Sequence, residues 1–244
     1  MKTPYQDFYS KSYKDESIII NHKKDERRMR NKLQDIPSIQ NNRILDIACG
    51  ISTFGKMFGN HVYGIDTNAQ AVKVAKKNGI KATLGNVEGK WSYPGNYFDV
   101  VIASHIIEHL VNPDHLLSEA KRVLKTGGLL IIATPNLAAW YNRLLLLIGV
   151  QPFFTEVSTI DKTLGLMFTR RFTRSRNTLG HLRVFTLGAL KDILKFHDFT
   201  IVCEKGMAFA LFPQPLLLLD TWFSQFPAIA SNIILVAQKN TIKN

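Results

Sequence analysis

The sequence predicts an α/β fold, a doubly wound and mostly parallel sheet with helices on both faces, and three observations lead there. Short apolar runs recur along the chain with helix-length segments between them. Those segments start and stop on residues that cap helices. A glycine-bearing turn, "DIACGISTFG", follows on the first apolar run, at the edge where open α/β sheets bind ligands.

Seven runs qualify as strands: "RILDIA", "HVYGID", "IKATLG", "FDVVIAS", "GLLIIAT", "TIVCEK" and "NIILVAQK". Between them, Asn68 caps "AQAVKVAKKNG" and Gly79 stops it, while Pro113 and Asp114 open "DHLLSEAKRVLKTGG", which ends in Gly127 and Gly128. Thr186 caps a further helix in "FTLGALKDILKFHDF". Residues 1–40 are polar, carry Tyr5, Phe8, Tyr9 and Tyr13, and close on Pro37, which predicts an N-terminal helical extension. Residues 41–136 form the ligand-binding core. The alternation then lapses over 137–184, far beyond the usual connection of about 4–6 residues, so this segment is an insertion after the fifth strand. Residues 185–244 return to the sheet.

Composition bounds the rest. With 244 residues and 45% hydrophobic content the chain is globular and not disordered. Cys49 and Cys203 lie far apart in apolar runs, so a disulfide framework is not expected and a reducing, cytoplasmic setting is. The N-terminus lacks the apolar core of a signal peptide, and no run reaches the roughly 18 apolar residues of a membrane span. A net charge of +12 favours anionic partners, with much of the excess in "KKDERRMRNK" and "TRRFTRSR". The plainer reading of each run is a solvated face.

The glycine turn has chemical content. Asp46 closes the strand before it, and Asp66 closes the next strand about twenty residues on, where a carboxylate can accept both ribose hydroxyls. A nucleoside-containing cofactor is the leading expectation. A nicotinamide dinucleotide would want three glycines in G-x-G-x-x-G, whereas Ala48, Gly50 and Ser52 stand in the early turn.

On these residues the sequence resembles the class I S-adenosylmethionine-dependent methyltransferases. The family's first motif, an acid followed by a G-x-G turn, is matched by Asp46 and Gly50, with Ala48 and Ser52 where glycine is usual. The resemblance implies a Rossmann-like sheet and S-adenosyl-L-methionine as cofactor. It implies that Asp46, Ala48 and Gly50 hold the methionine end, that Asp66 holds the ribose, and that Asn86 and Val87 in "LGNVEG" meet the adenine. Ser104, ending the fourth strand, is counted with them. "LKTGGLLIIATPN" resembles the approach to the fifth strand, and "GHLRVFTLGALKDILKFHDF" continues the match in the manner of broad bacterial small-molecule, sugar and lipid methyltransferases.

"SHIIEHL" follows the fourth strand and so lies at the carboxyl edge beside the sulfonium. As a turn of helix it would put His105, Glu108 and His109 on one face, and His181 arrives from the insertion. Methyl transfer from a sulfonium needs chiefly a positioned acceptor, but a hydroxyl acceptor must also lose a proton. A histidine of reference pKa about 6.5 takes it naturally. His105, His109 and His181 are therefore the catalytic candidates, with no metal by default. The second reading is a divalent metal on His105, Glu108, His109 and His181. By resemblance, small-RNA 2′-O-methyltransferases and ubiquinone-pathway O-methyltransferases carry E-x-x-E-H here, and His105 replaces the first glutamate. H-x-x-E-H is also the pattern of one zinc peptidase class, which the surrounding sheet and the lack of an acidic third ligand on a partner helix exclude.

The insertion reads as a lid whose arginines suit phosphate or carboxylate. "MAFALFPQPLLLLDTWF" (207–223) is read first as core, and otherwise as a homodimer contact or a peripheral membrane contact. The expected function is O-methylation of a small molecule, glycan precursor or lipid-linked acceptor. The rivals are an RNA methyltransferase, disfavoured because no added RNA-binding module is visible, and a cofactor-binding protein without catalysis.

Overall fold

A computed structural model describes residues 16–36, 41–167, 170 and 178–240, with side chains from Lys24 onward. The aromatics of the first fifteen residues, Pro37 and most of "TRRFTRSR" lie outside the described residues. Helix α1 (Glu16–Lys32) precedes β1 (Arg43–Ile47), β2 (His61–Asp66), α2 (Ala69–Lys77), β3 (Lys81–Leu84) and β4 (Phe98–Ser104). Then follow α3 (Pro113–Val123), β5 (Leu124–Pro135), α4 (Trp140–Leu147), α5 (Leu187–Phe196), β6 (Phe199–Met207), α6 (Gln214–Phe223) and β7 (Asn232–Lys239).

All seven expected strands form one sheet in the order β3-β2-β1-β4-β5-β7-β6. The pairs among β1 to β5 are parallel, whereas β7 runs antiparallel to both β5 and β6. Strand order reverses between β1 and β4, and the crevice outside their carboxyl ends is where such sheets bind ligands.

Both faces are buried, and the two-residue period divides the strands between two cores. Leu45, Ile47, Val101, Ala103, Leu130 and Ile132 pack on one face with Leu116 and Leu117 of α3. Ile44, Val100, Ile102, Ile131 and Ala133 pack on the other with Met29 of α1 and Leu33 just beyond it. Asp46 and Ser104 share the parity of this second set, so both face α1.

The caps agree with expectation. Asn68 accepts the amides of Gln70 and Ala71, Asn112 accepts that of His115 behind Pro113, and Thr186 accepts that of Ala189. One boundary differs: the helix expected to run to Gly127 and Gly128 ends at Val123, and both glycines fall inside β5. Gly127 has φ +75°, and a Cβ on Gly128 would lie 2.9 Å from the Lys125 carbonyl oxygen, so these glycines form a bend within the strand.

Candidate active site

The turn after β1 is tied to the end of β2 by backbone and by one acid. Cys49 donates its amide to the Ile65 carbonyl at 3.1 Å, and Gly50 donates to Oδ2 of Asp66 at 2.8 Å. Asp66 Oδ1 accepts the Asn68 amide at 2.8 Å. Cys49 tucks against Gly64, where any Cβ would stand 2.6 Å from its Sγ. Ala48 and Gly50 both adopt φ +53°. Ala48 thus holds the left-handed conformation that a glycine would take without steric penalty.

Helix α1 closes this turn from outside. Glu26 accepts the Thr53 hydroxyl at 2.8 Å, the Thr53 amide and the Ser52 hydroxyl at 3.2 Å each, and the Arg30 guanidinium at 2.7 Å. Burial works against its charge, but the bonds from Arg30 and Thr53 prevail and hold the carboxyl below its usual range. The Ser104 hydroxyl reaches Met29 Sδ at 3.8 Å.

Between these parts lies a cavity of about 300 Å³. Its lining joins Asp46, Ala48 and Gly50 of the glycine turn, the α1 residues Asp25, Glu26 and Met29, and Ser104, His105, Glu108, His109 and His181 with Phe154. Asp66, Asn86 and Val87 lie along the same carboxyl edge outside this lining. Val87 is in the core, its carbonyl bonded by the Trp91 indole, and exposed Asn86 accepts the Glu88 amide.

The side of the cavity at the glycine turn fits a ligand rich in donors and positive charge. Asp46 is 4% exposed, and among the described residues its carboxylate accepts no hydrogen bond. Burial, with the charges of Glu26 and Asp66, pushes it up to about 8. Burial also raises Asp66, against the two amides that bond it. The ammonium of S-adenosylmethionine would give buried Asp46 the opposite charge and donors it lacks among the described residues.

After β4 the structure departs from a regular helical turn. His105 has φ +53° and donates its amide to the Ala133 carbonyl, and only Ile107–His109 form a 3-10 turn. The chain must reverse as it leaves β4, and His105 takes that bend. Its Nδ1 still comes within 3.4 Å of Glu108 Oε1. Enclosure favours a neutral His105 ring, but Glu108 and Asp25 outweigh it and raise its pKa.

Glu108 is fully buried. Oε2 accepts the Thr134 hydroxyl at 3.1 Å, while among the described residues Oε1 has only the His105 ring beside it, at 3.4 Å. Burial opposes its charge, yet His105, His109 and His181 hold the carboxyl down at about 2. Ligand atoms of Glu108, His109 and His181 lie within 4.8 Å of one another. His109 Nδ1 lies 3.1 Å from the Gly180 carbonyl and His181 Nδ1 lies 3.0 Å from the Phe154 carbonyl. A carbonyl can only accept, so each Nδ1 donates there. Outer hydrogen bonds of this kind orient histidines as metal ligands. Burial lowers the pKa of His181, against the pull of Glu108. His181 is itself placed by Glu156, which accepts the amides of Leu179, Gly180 and His181.

The structure therefore brings the four predicted polar residues His105, Glu108, His109 and His181 to one cavity with Asp46, Ala48, Gly50 and Ser104. Sequence reasoning missed Asp25, Glu26 and Met29. The acids stood inside the basic run 23–32, and only their interruption of its charge marked them.

Comparison with known proteins agrees with this geometry. Ubiquinone biosynthesis O-methyltransferase of Rhodopseudomonas palustris is 29% identical over 132 residues, 51% of this chain and 52% of that protein. The protein of the same name from Pelagibacter ubique is 30% identical over 105 residues, 40% of this chain and 44% of its own. These matches span about half the length of those relatives or less. A Thermotoga maritima S-adenosylmethionine-dependent methyltransferase, named as a possible histamine N-methyltransferase, superposes with TM-score 0.64 at 16% identity, covering 97% of this chain and 100% of its own. An Archaeoglobus fulgidus S-adenosylmethionine-dependent methyltransferase gives 0.55 at 18%, covering 88% and 92%. The methyltransferase-domain family matches residues 21–204. On its fold, its glycine turn and that match, the chain belongs to the methyltransferase-domain family, whose cofactor is S-adenosylmethionine.

Proposed function

We propose that this chain transfers the methyl group of S-adenosylmethionine to an oxygen of a small molecule, glycan precursor or lipid-linked acceptor. The observation that carries the reading is the polar cluster Glu108, His109 and His181 in the same cavity as the glycine turn. The ubiquinone-pathway names of the relatives support an oxygen acceptor.

The acceptor oxygen forms a bond to the methyl carbon as the sulfur–carbon bond breaks, and the hydroxyl proton must leave. His105 faces the cavity, is paired with Glu108, and is placed to take that proton. Glu108, His109 and His181 are the donors that would hold a divalent cation, their ligand atoms lying within 4.8 Å of one another. When bound, the cation supplies Lewis-acid positioning of the acceptor oxygen. Asp46 and the turn at Gly50 hold the cofactor, and α1 excludes water from its methionine end.

Partition tests the reading. Methyl-labelled S-adenosylmethionine is incubated with the chain and cell extract, which is then separated into organic, aqueous and RNA fractions. Label in the organic or small-molecule aqueous fraction supports the proposal. Label in RNA transfers it to a nucleic-acid acceptor, and label nowhere despite cofactor binding leaves a binding protein.

A further inference from the structure

The stretch 207–223, read first as core, places much of its apolar surface outside. From residue 207 to 231 the sequence holds one charged residue, Asp220. That residue is fully buried, bonded by the Trp140 indole and the Ser231 hydroxyl. Helix α6 therefore presents an uncharged surface, with Leu218 69% and Trp222 54% exposed. Helix α4 adds a second stripe at helical spacing, Leu144 and Leu147 with Ile148 just beyond its end, and Leu147 is 81% exposed. The helices join where Trp140 stacks on Phe223 at 5.0 Å and 16°. An exposed apolar area of this extent, built on two neighbouring helices, marks an interaction site.

We propose that this α4–α6 face docks on the surface of an anionic lipid bilayer. Two observations choose that occupant. The first is charge. The chain carries +12. Arg143 is exposed within the α4 stripe, and Lys32 of α1 reaches the Ser224 hydroxyl at the end of α6 at 3.4 Å. Basic residues flanking an apolar helix face with tryptophan suit anionic headgroups over acyl chains. Two copies of this chain would instead set like charge against like.

The second observation is continuity with the cavity. From Trp140 the rings run inward in contact, through Tyr141, Phe212, Phe209 and Phe154 to His181, with centroids 5.2–5.8 Å apart. The docked face thus connects by an aromatic seam to the polar cluster in the cavity. An acceptor with an apolar tail could sit in the bilayer while its hydroxyl reaches the cavity; this last step rests on the proposed function, whereas the docking does not. No described helix is long and apolar enough to cross the membrane, so the contact is interfacial.

Flotation with vesicles tests the docking without cofactor or acceptor. The native chain should float with vesicles of phosphatidylcholine and phosphatidylglycerol, and less with phosphatidylcholine alone. Leu218→Asp and Leu147→Asp each alter an exposed side chain and should keep the native melting temperature while losing about tenfold in vesicle affinity. Phe196→Asp, which alters a residue 80% exposed on α5, should float like the native chain. A native chain that stays in solution overturns the proposal, as do aspartate variants that float equally well. A native dimer by light scattering that Leu218→Asp splits also overturns it, because the face then belongs to a second copy. Failure of methyl transfer with flotation intact would count against the proposed function alone.

Discussion

The Gly50 amide donates a 2.8 Å hydrogen bond to the Asp66 carboxylate, whose other oxygen takes the Asn68 amide at 2.8 Å. One buried acid thereby fixes the cofactor turn, the end of β2 and the start of α2 against one another. Asp66→Ala should weaken S-adenosylmethionine binding by about 1–3 kcal/mol, the usual loss for hydrogen bonds to a charged group. Titration calorimetry measures it, and unchanged affinity removes Asp66 from the site.

Ala48 sits at φ +53° in the same turn. Ala48→Gly relieves a left-handed conformation and adds freedom to the unfolded chain, for a net gain of about 0.5–1 kcal/mol. A rise of about 1–3 °C in melting temperature is expected for a chain of this length. A fall would show that the Ala48 methyl packs favourably enough to offset its strain.

Asp46 gives a pH dependence. The unfolded carboxyl titrates near about 3.9, whereas the folded one is pushed up to about 8. Between these values the folded chain keeps a proton that the unfolded chain has released. This group's effect on stability therefore falls as pH rises through that window, by up to about 1.4 kcal/mol per pH unit, and levels off above it. Asp46→Asn should flatten the decline in urea-unfolding free energy between the two ends of the window in the cofactor-free chain. Parallel profiles for the two proteins would contradict the assignment.

The cluster of Glu108, His109 and His181 gives a metal prediction. Divalent manganese or zinc should raise the melting temperature of the native chain, and His181→Ala and Glu108→Gln should lose that shift. Thorough chelation should lower methyl transfer. Full transfer after chelation, with no thermal shift for any divalent ion, would leave the cluster metal-free.

Much of this was legible in the sequence because the signals were local. Short apolar runs separated by helix-length segments located the seven strands, and Asn68, Pro113 and Thr186 announced their helices. The position of "SHIIEHL" after β4 placed it at the cavity, and His181 met it there. The backbone of His105 was not legible, since nothing in its identity signals the left-handed bend at which its amide bonds β5. Glu26 was missed because its partners, Ser52 and Thr53, lie more than twenty residues away. The 207–223 stretch was ambiguous because apolar content alone does not say which side of a helix the fold covers.

In the proposed function the polar cluster faces an acceptor oxygen across from the cofactor's methyl group. The most direct measurement counts methyl label transferred from S-adenosylmethionine to extract by the native chain and by His109→Ala/His181→Ala, with cofactor affinity measured for both. The account predicts an alkali-stable labelled product from the native chain and a loss of at least about a hundredfold in the double variant, with cofactor affinity unchanged. Equal labelling by the two proteins, or an alkali-labile product from the native chain, would contradict it.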